Sequence, residues 1–173
     1  MEEAKYEAKD MLLAAVENAR AARTEAGRED DSYIVLDIGP IGQLLEPMGT
    51  LTFDEAYDII LEQVETVKDQ VDLVLFETMS DLYEVKAGVL AVKEHTDLPV
   101  FVTMTFEQNG RTLSGNDPQS AQTYLRVSGS DESIHQPAGL LRRRILRRTS
   151  ETERTHQKAV KADDGILWYH RPE

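Results

Sequence analysis

Three short apolar segments, each followed further along the chain by a stretch with helical spacing, constrain the fold more than any other feature. They are residues 33–36 (YIVL), 73–76 (LVLF) and 99–105 (PVFVTMT). Continuous, β-branched apolar runs of this length are typical of strands buried on both faces of a sheet. Strands that alternate with helices indicate right-handed βαβ units, so we expect an α/β fold with about three parallel βα units.

Four helices are predicted around these strands. Their expected ranges are residues 2–26, 53–69 and 81–95, with a fourth helix starting at residue 118. Thr52 and Glu55 have the spacing of a capping box, and Asp117 precedes a proline at a first helical position. Ser80 or Asp81 is the expected cap of the third helix. The first helix has no strand before it and is therefore a leading helix.

The charge of the chain changes sign near residue 125. Residues 1–125 carry 9 basic and 25 acidic side chains, whereas residues 126–173 carry 10 and 7. An acidic body lacks the clustered cations that phosphate binding needs, so nucleic acid is not expected as its partner. No apolar run approaches the roughly 18 residues of a membrane span, and the first residues are acidic, so we expect a cytoplasmic protein that does not bind membranes.

Three polar residues follow or end the predicted strands. Asp37, Glu77 and Thr105 stand at the carboxyl ends of their strands, where parallel α/β sheets gather their binding groups. A carboxylate in this position is held by a rigid element and can point into a crevice or barrel mouth. A helix cap or a turn residue is the competing interpretation for each carboxylate, and spacing alone does not decide between them.

Three longer blocks carry a resemblance to a known family. They are residues 36–49 (LDIGPIGQLLEPMG), 76–81 (FETMSD) and 102–118, the last with VTMTF followed by GRTLSGNDP. In this order the blocks resemble the homocysteine S-methyltransferase family, most closely a homocysteine-binding domain of the kind found in cobalamin-dependent methionine synthase. The resemblance covers about residues 1–125.

The resemblance implies a (β/α)8 TIM barrel that binds homocysteine and methylates its thiol to give methionine. In this family zinc held by three cysteine thiolates binds the substrate sulfur and lowers its pKa. The methyl donor in methionine synthase is methylcobalamin, on a module separate from the barrel, beside a folate module. By the family pattern Glu77 receives the substrate ammonium group, and Asp37 at the equivalent strand end supports the site. Thr105 is predicted as a third substrate-binding residue from its strand-end position.

The chain departs from that family in two respects. A complete barrel has eight strands and about 250 residues, whereas three strands are predicted before residue 125. The chain also contains no cysteine, so no thiolate zinc site can form from it. We therefore expect a partial barrel domain over residues 1–125, with no metal ligand or catalytic residue of its own, that is inactive as a single chain.

Residues 126–173 are predicted to form an irregular, basic tail. Residues 125–129 (LRVSG) and 137–140 (PAGL) can be back-translated so that a one-base shift gives LEGLG and CGP, both expected by the family pattern, which suggests an out-of-frame tail. The alternative is a non-enzymatic interaction protein. In that interpretation residues 142–148 (RRRILRR) bind nucleic acid or an anionic membrane.

Overall fold

A computed structural model describes residues 8–130 in full and the backbone of residues 132–137. The elements in chain order are α1 (Ala8–Glu25), β1 (Val35–Ile38), α2 (Phe53–Val67), β2 (Leu73–Met79), α3 (Leu82–His95), β3 (Val100–Phe106), α4 (Pro118–Ser128) and β4 (Glu132–Pro137). The start of the predicted leading helix and the basic segment at 142–148 lie outside the described residues.

The described strands form one parallel sheet in the order β1-β2-β3-β4, so the predicted α/β class is confirmed. Val35 of β1 pairs with Leu73 of β2, and Val74 of β2 pairs with Val100 of β3. Because the strand order follows the chain and crossovers of this kind are right-handed, the connecting helices lie on one face of the sheet. We call this the covered face, and the opposite side the open face.

The helix ends follow from the residues that the sequence singled out. The Thr52 side chain accepts a hydrogen bond from the Glu55 N–H, and the Glu55 carboxylate accepts one from the Thr52 N–H, which completes the predicted capping box. Asp81, rather than Ser80, caps α3. Asp117 caps α4, and the proline after it occupies the first turn.

The core lies between the covered face and the helices. Its fully buried side chains include Val74, Phe76, Val100, Val102 and Met104 from the sheet, and Ile60, Val64, Val85, Val89 and Val92 from the helices. Helix α3 approaches the sheet closely at Gly88, where an added Cβ would lie 2.5 Å from the Phe76 ring. Burial of these apolar side chains is the main stabilising contribution to the fold.

Regular structure continues past residue 125, where an irregular tail was predicted. Helix α4 ends at Ser128, and β4 pairs in parallel with β3 from Phe101↔Glu132 to Phe106↔Pro137. Strand β1 begins two residues later than predicted, and β2 extends to Met79. Within residues 8–130 and 132–137, no helix has the length and apolar character that crossing a bilayer requires.

Candidate functional site

The three residues predicted from strand ends lie on neighbouring strands of one sheet. Asp37 pairs in register with Leu75 of β2, two residues before Glu77. The Thr105 hydroxyl of β3 donates a hydrogen bond of 3.1 Å to the Met79 carbonyl of β2, two residues after Glu77. We call this region, where the parallel strands end, the carboxyl edge; the structure brings all three predicted residues to it.

Asp37 and Glu77 lie on adjacent strands at the carboxyl edge, and the charge of Asp37 acts on Glu77. Loss of surrounding solvent raises the pKa of Asp37 above its ordinary value. The pKa of Glu77 is raised first by the same loss of solvent and then by the negative charge of Asp37. An ionised carboxylate makes ionisation of a neighbouring carboxyl group less favourable. A cation placed between or beside the two would therefore be stabilised. The pair therefore suits an ammonium ligand.

Strand β2 contains a bulge at Glu77. Phe76 pairs with Val102 and Met79 pairs with Met104, so Glu77 and Thr78 together oppose the single residue Thr103 of β3. Thr78 has φ of 61°, a left-handed conformation that is unusual for a β-branched residue. Such a conformation costs on the order of 1–3 kcal/mol and persists only where surrounding contacts hold it. We call this two-residue insertion the β2 bulge.

Two hydroxyl groups on β3 hold the β2 bulge. The Thr78 N–H donates a hydrogen bond of 2.7 Å to the Oγ1 of Thr103, which is a buried residue. The Thr105 hydroxyl instead donates a hydrogen bond to the next carbonyl, that of Met79. The Thr78 Oγ1 is itself buried and has no hydrogen-bond partner among the described residues. Thr105 is predicted from its strand end, whereas Thr78 and Thr103 are not, because a left-handed threonine has no local sequence signal.

A buried glutamate anchors the loop that follows β1. Glu84 of α3 is 3% exposed, and its Oε1 accepts a hydrogen bond of 2.6 Å from the Ile41 N–H. Ile41 lies in residues 39–51, the mouth loop, which begins directly after the carboxyl end of β1. Burial is the main cause that raises the pKa of Glu84, and the Ile41 hydrogen bond opposes it. The sequence did offer a signal for the burial of Glu84. It lies at helical spacing from Gly88 and Ala91, two small residues of the covered side.

The donor groups at the carboxyl edge do not fit a thiolate zinc site. The whole chain contains no cysteine. Within the described residues no group of three or more His, Asp or Glu side chains could hold a metal ion. The carboxyl edge offers a carboxylate pair and hydroxyls, which are hard oxygen ligands rather than the sulfur ligands that the family resemblance implies. We therefore derive no chemical step through zinc for this chain.

A comparison with solved structures supports the fold of this chain. The crystal structure of the homocysteine methyltransferase MmuM from Escherichia coli, in its apo form, superposes with a TM-score of 0.65 at 16% sequence identity. The match covers 77% of this chain and 52% of that chain, so the present chain spans about half of that protein. This likeness confirms the predicted partial TIM-barrel fold.

The family model for homocysteine S-methyltransferase matches residues 1–134, which includes every residue of the carboxyl edge described above. The match extends beyond residue 125, the boundary predicted from the sequence, and into β4. The chain belongs to the homocysteine S-methyltransferase family.

Proposed function

We propose that this chain forms the part of a homocysteine-binding barrel that binds the substrate ammonium group. The observation that carries the proposal is the position of Asp37 and Glu77 on adjacent strands at the carboxyl edge of a sheet from this family. Glu77 accepts hydrogen bonds from the substrate ammonium group, and Asp37 adds a second negative charge beside it. Thr105 supports the pair by fixing the end of β2.

The charges of the carboxyl edge favour the ammonium group of the substrate. Loss of solvent is the larger cause of the raised pKa of Glu77 and the charge of Asp37 the smaller, and an ammonium group placed beside Glu77 opposes both by stabilising the ionised carboxylate. A neutral or anionic thiol compound without the amine would gain nothing from the pair. The proposal therefore predicts selectivity for an amino thiol over its deaminated analogue.

We further propose that the chain does not transfer the methyl group by itself. Methyl transfer requires the homocysteine sulfur as a thiolate, and the usual thiol pKa is about 8.5, against about 4 for a carboxylate. The carboxylates of the edge are therefore too weak as bases to generate the thiolate, and the chain has no cysteine to hold the zinc that the family resemblance implies. The thiolate and the donor, which that resemblance identifies as methylcobalamin, would come from groups that this chain lacks. A free thiol substrate fits a reducing compartment, so a cytoplasmic location is part of the proposal.

Isothermal titration of the 173-residue chain with homocysteine, with and without zinc, tests both proposals. We expect weak binding that zinc does not strengthen, and binding that falls when Glu77→Gln removes the negative charge. Glu62→Gln, on the exposed surface of α2, is the matched control and should bind as the parent does. Tight zinc-dependent binding, or methionine formed by the purified chain with a methyl donor, would contradict the proposal of inactivity.

The sequence after the family match supports a change of reading frame. We propose, from the sequence, that the reading frame changes near residue 126. The family match nevertheless continues to residue 134, so residues 135–173 are the part of the tail that lies outside it. Within this segment a one-base shift at residues 137–140 (PAGL) restores a CGP segment, which would supply a cysteine. Determination of the coding DNA decides the question: the proposal fails if no single-base shift restores a cysteine-containing strand there.

A further inference from the structure

The β2 bulge changes which side chains face the open side of the sheet. In a regular strand, alternate residues point to opposite faces, so Phe76 and Met79, three positions apart, would lie on different faces. Both are fully buried and pair with Val102 and Met104, which are also fully buried. The extra residue therefore restores the apolar pattern of the covered face after Glu77. It also leaves Glu77 and Thr78 as consecutive residues opposite Thr103.

The bulge is held from the neighbouring strand rather than by β2 itself. At φ of 61°, the Thr78 N–H is available to a side-chain acceptor, and the Thr103 Oγ1 accepts it at 2.7 Å. Thr103 is 5% exposed, and its chain neighbours Val102 and Met104 are fully buried. A valine has nearly the same shape as threonine and would fill the same space. Packing alone therefore does not explain a hydroxyl at position 103, whereas the hydrogen bond to Thr78 does.

We propose that Thr103 is a positioning residue whose hydroxyl fixes the β2 bulge and thereby directs the Glu77 carboxylate toward Asp37 and the substrate ammonium group. This inference rests on the proposed function only for the identity of the bound amine. Thr103 acts through the backbone of Thr78 and does not itself contact the ligand. Loss of its hydroxyl should change the orientation and solvation of Glu77 without removing any charge.

The test uses three single variants of the full chain. Thr103→Val removes the hydroxyl and keeps the shape, whereas Thr103→Ser keeps the hydroxyl. Thr96→Val is the matched control, because the Thr96 Oγ1 likewise accepts a backbone N–H, that of Leu98 at 3.1 Å, but lies at the amino end of β3. Each variant is examined by amide hydrogen exchange at Thr78, by NMR titration of the Glu77 carboxyl group, and by NMR titration with homocysteine and with 4-sulfanylbutanoate, its deaminated analogue.

In Thr103→Val we expect exchange of the Thr78 amide to be about tenfold faster and the pKa of Glu77 to differ from that of the parent. Affinity for homocysteine should fall about tenfold, while affinity for the deaminated analogue should stay within about twofold. Thr103→Ser should keep the Thr78 exchange rate, the pKa of Glu77 and the homocysteine affinity of the parent. Thr96→Val should leave the Glu77 titration and the homocysteine affinity unchanged, even if it unfolds at a lower temperature.

An unchanged Thr78 exchange rate and an unchanged Glu77 titration in folded Thr103→Val would overturn the inference. So would equal losses for homocysteine and its analogue, since these would show a general structural effect. A different outcome separates the two proposals. If the parent binds homocysteine and the analogue equally well, the proposed function is wrong, while exchange and titration still decide the role of Thr103.

Discussion

The covered and open faces of the sheet are built from the same strands but differ in burial, charge and backbone strain. On the covered face Phe76, Val102 and Met104 are fully buried against the helices. The open face carries Asp37 and Glu77, whose pKa values are raised, beside a left-handed threonine backbone. The difference is the one we expect if stability comes from the covered face and if the open face binds the ligand, as proposed above. Proteins often accept local strain and unfavourable charge where they bind ligands.

The largest effect expected from this division is a loss of stability at Gly88 on the covered side. In Gly88→Ala the new Cβ would lie 2.5 Å from two ring atoms of Phe76, so the core must shift to accept it. We expect the free energy of unfolding to fall by about 1–3 kcal/mol. Urea denaturation measures this change. Gly39→Ala, where an added Cβ meets nothing within 4 Å, is the control, and equal midpoints for the two variants would contradict the packing argument.

The second prediction concerns Glu84, which connects the covered layer to the mouth loop. Glu84→Leu removes the acceptor of the Ile41 N–H, so we expect amide exchange at Ile41 to be about fivefold faster, as for a hydrogen bond worth about 1 kcal/mol. Glu84→Gln retains an acceptor oxygen and should keep most of the protection. Hydrogen exchange followed by NMR measures both. Equal protection in the two variants would show that the mouth loop is held by other contacts.

The third prediction is that the negative charge of Glu77 on the open face favours ligand binding but lowers the stability of the fold. The pKa of Glu77 is raised in the folded state, so ionising this group disfavours folding. The sign follows directly: the destabilisation is absent below the ordinary carboxyl pKa and is fully present above the raised folded value. Glu77→Gln should therefore weaken homocysteine binding about tenfold and yet unfold no more easily than the parent.

Chemical denaturation over a pH series measures the stability side of this prediction. The advantage of Glu77→Gln over the parent should grow as the pH rises through the raised pKa of Glu77, and it should vanish in acid. A variant that is less stable than the parent at neutral pH would show that the Glu77 carboxylate supports the fold. The open face would then not be specialised for binding.

The smallest expected effect is a change within the carboxylate pair. Asp37→Asn removes the negative charge that is the second cause of the raised pKa of Glu77. The pKa of Glu77 should move down but remain above its ordinary value, because loss of solvent is the larger cause. NMR titration of Glu77 measures the shift, with Asp58→Asn on the exposed surface of α2 as the control. No movement of the Glu77 pKa would mean that the two carboxylates are not coupled.

Local signals were sufficient to predict most of the fold. Thr52 with Glu55, and Asp117 with the proline after it, mark helix starts through contacts within a few residues, and the structure has both. The three apolar runs were also found, although their ends differ by one to three residues. Parallel pairing followed from the alternation of strands and helices.

The site could be predicted only in part. The shared position of Asp37, Glu77 and Thr105 at the carboxyl edge could be predicted because strand ends in parallel sheets are known places for binding groups, while their binding roles stay predictions. Thr78 and Thr103 were not predicted, because the β2 bulge depends on a contact between residues 25 positions apart. Strand β4 was missed since residues 132–137 (ESIHQP) are polar and contain one large apolar residue. Its parallel pairing with β3 is a tertiary property.

The simple strand order has a consequence for how the site is assembled. Each described strand pairs with the strand that follows it in the chain, so every described pairing closes a loop of similar, moderate length. The two acidic groups lie on the first two strands, whereas the hydroxyls that hold the end of β2 lie on the third. The geometry around the two charges therefore depends on a neighbouring strand that carries no charge itself.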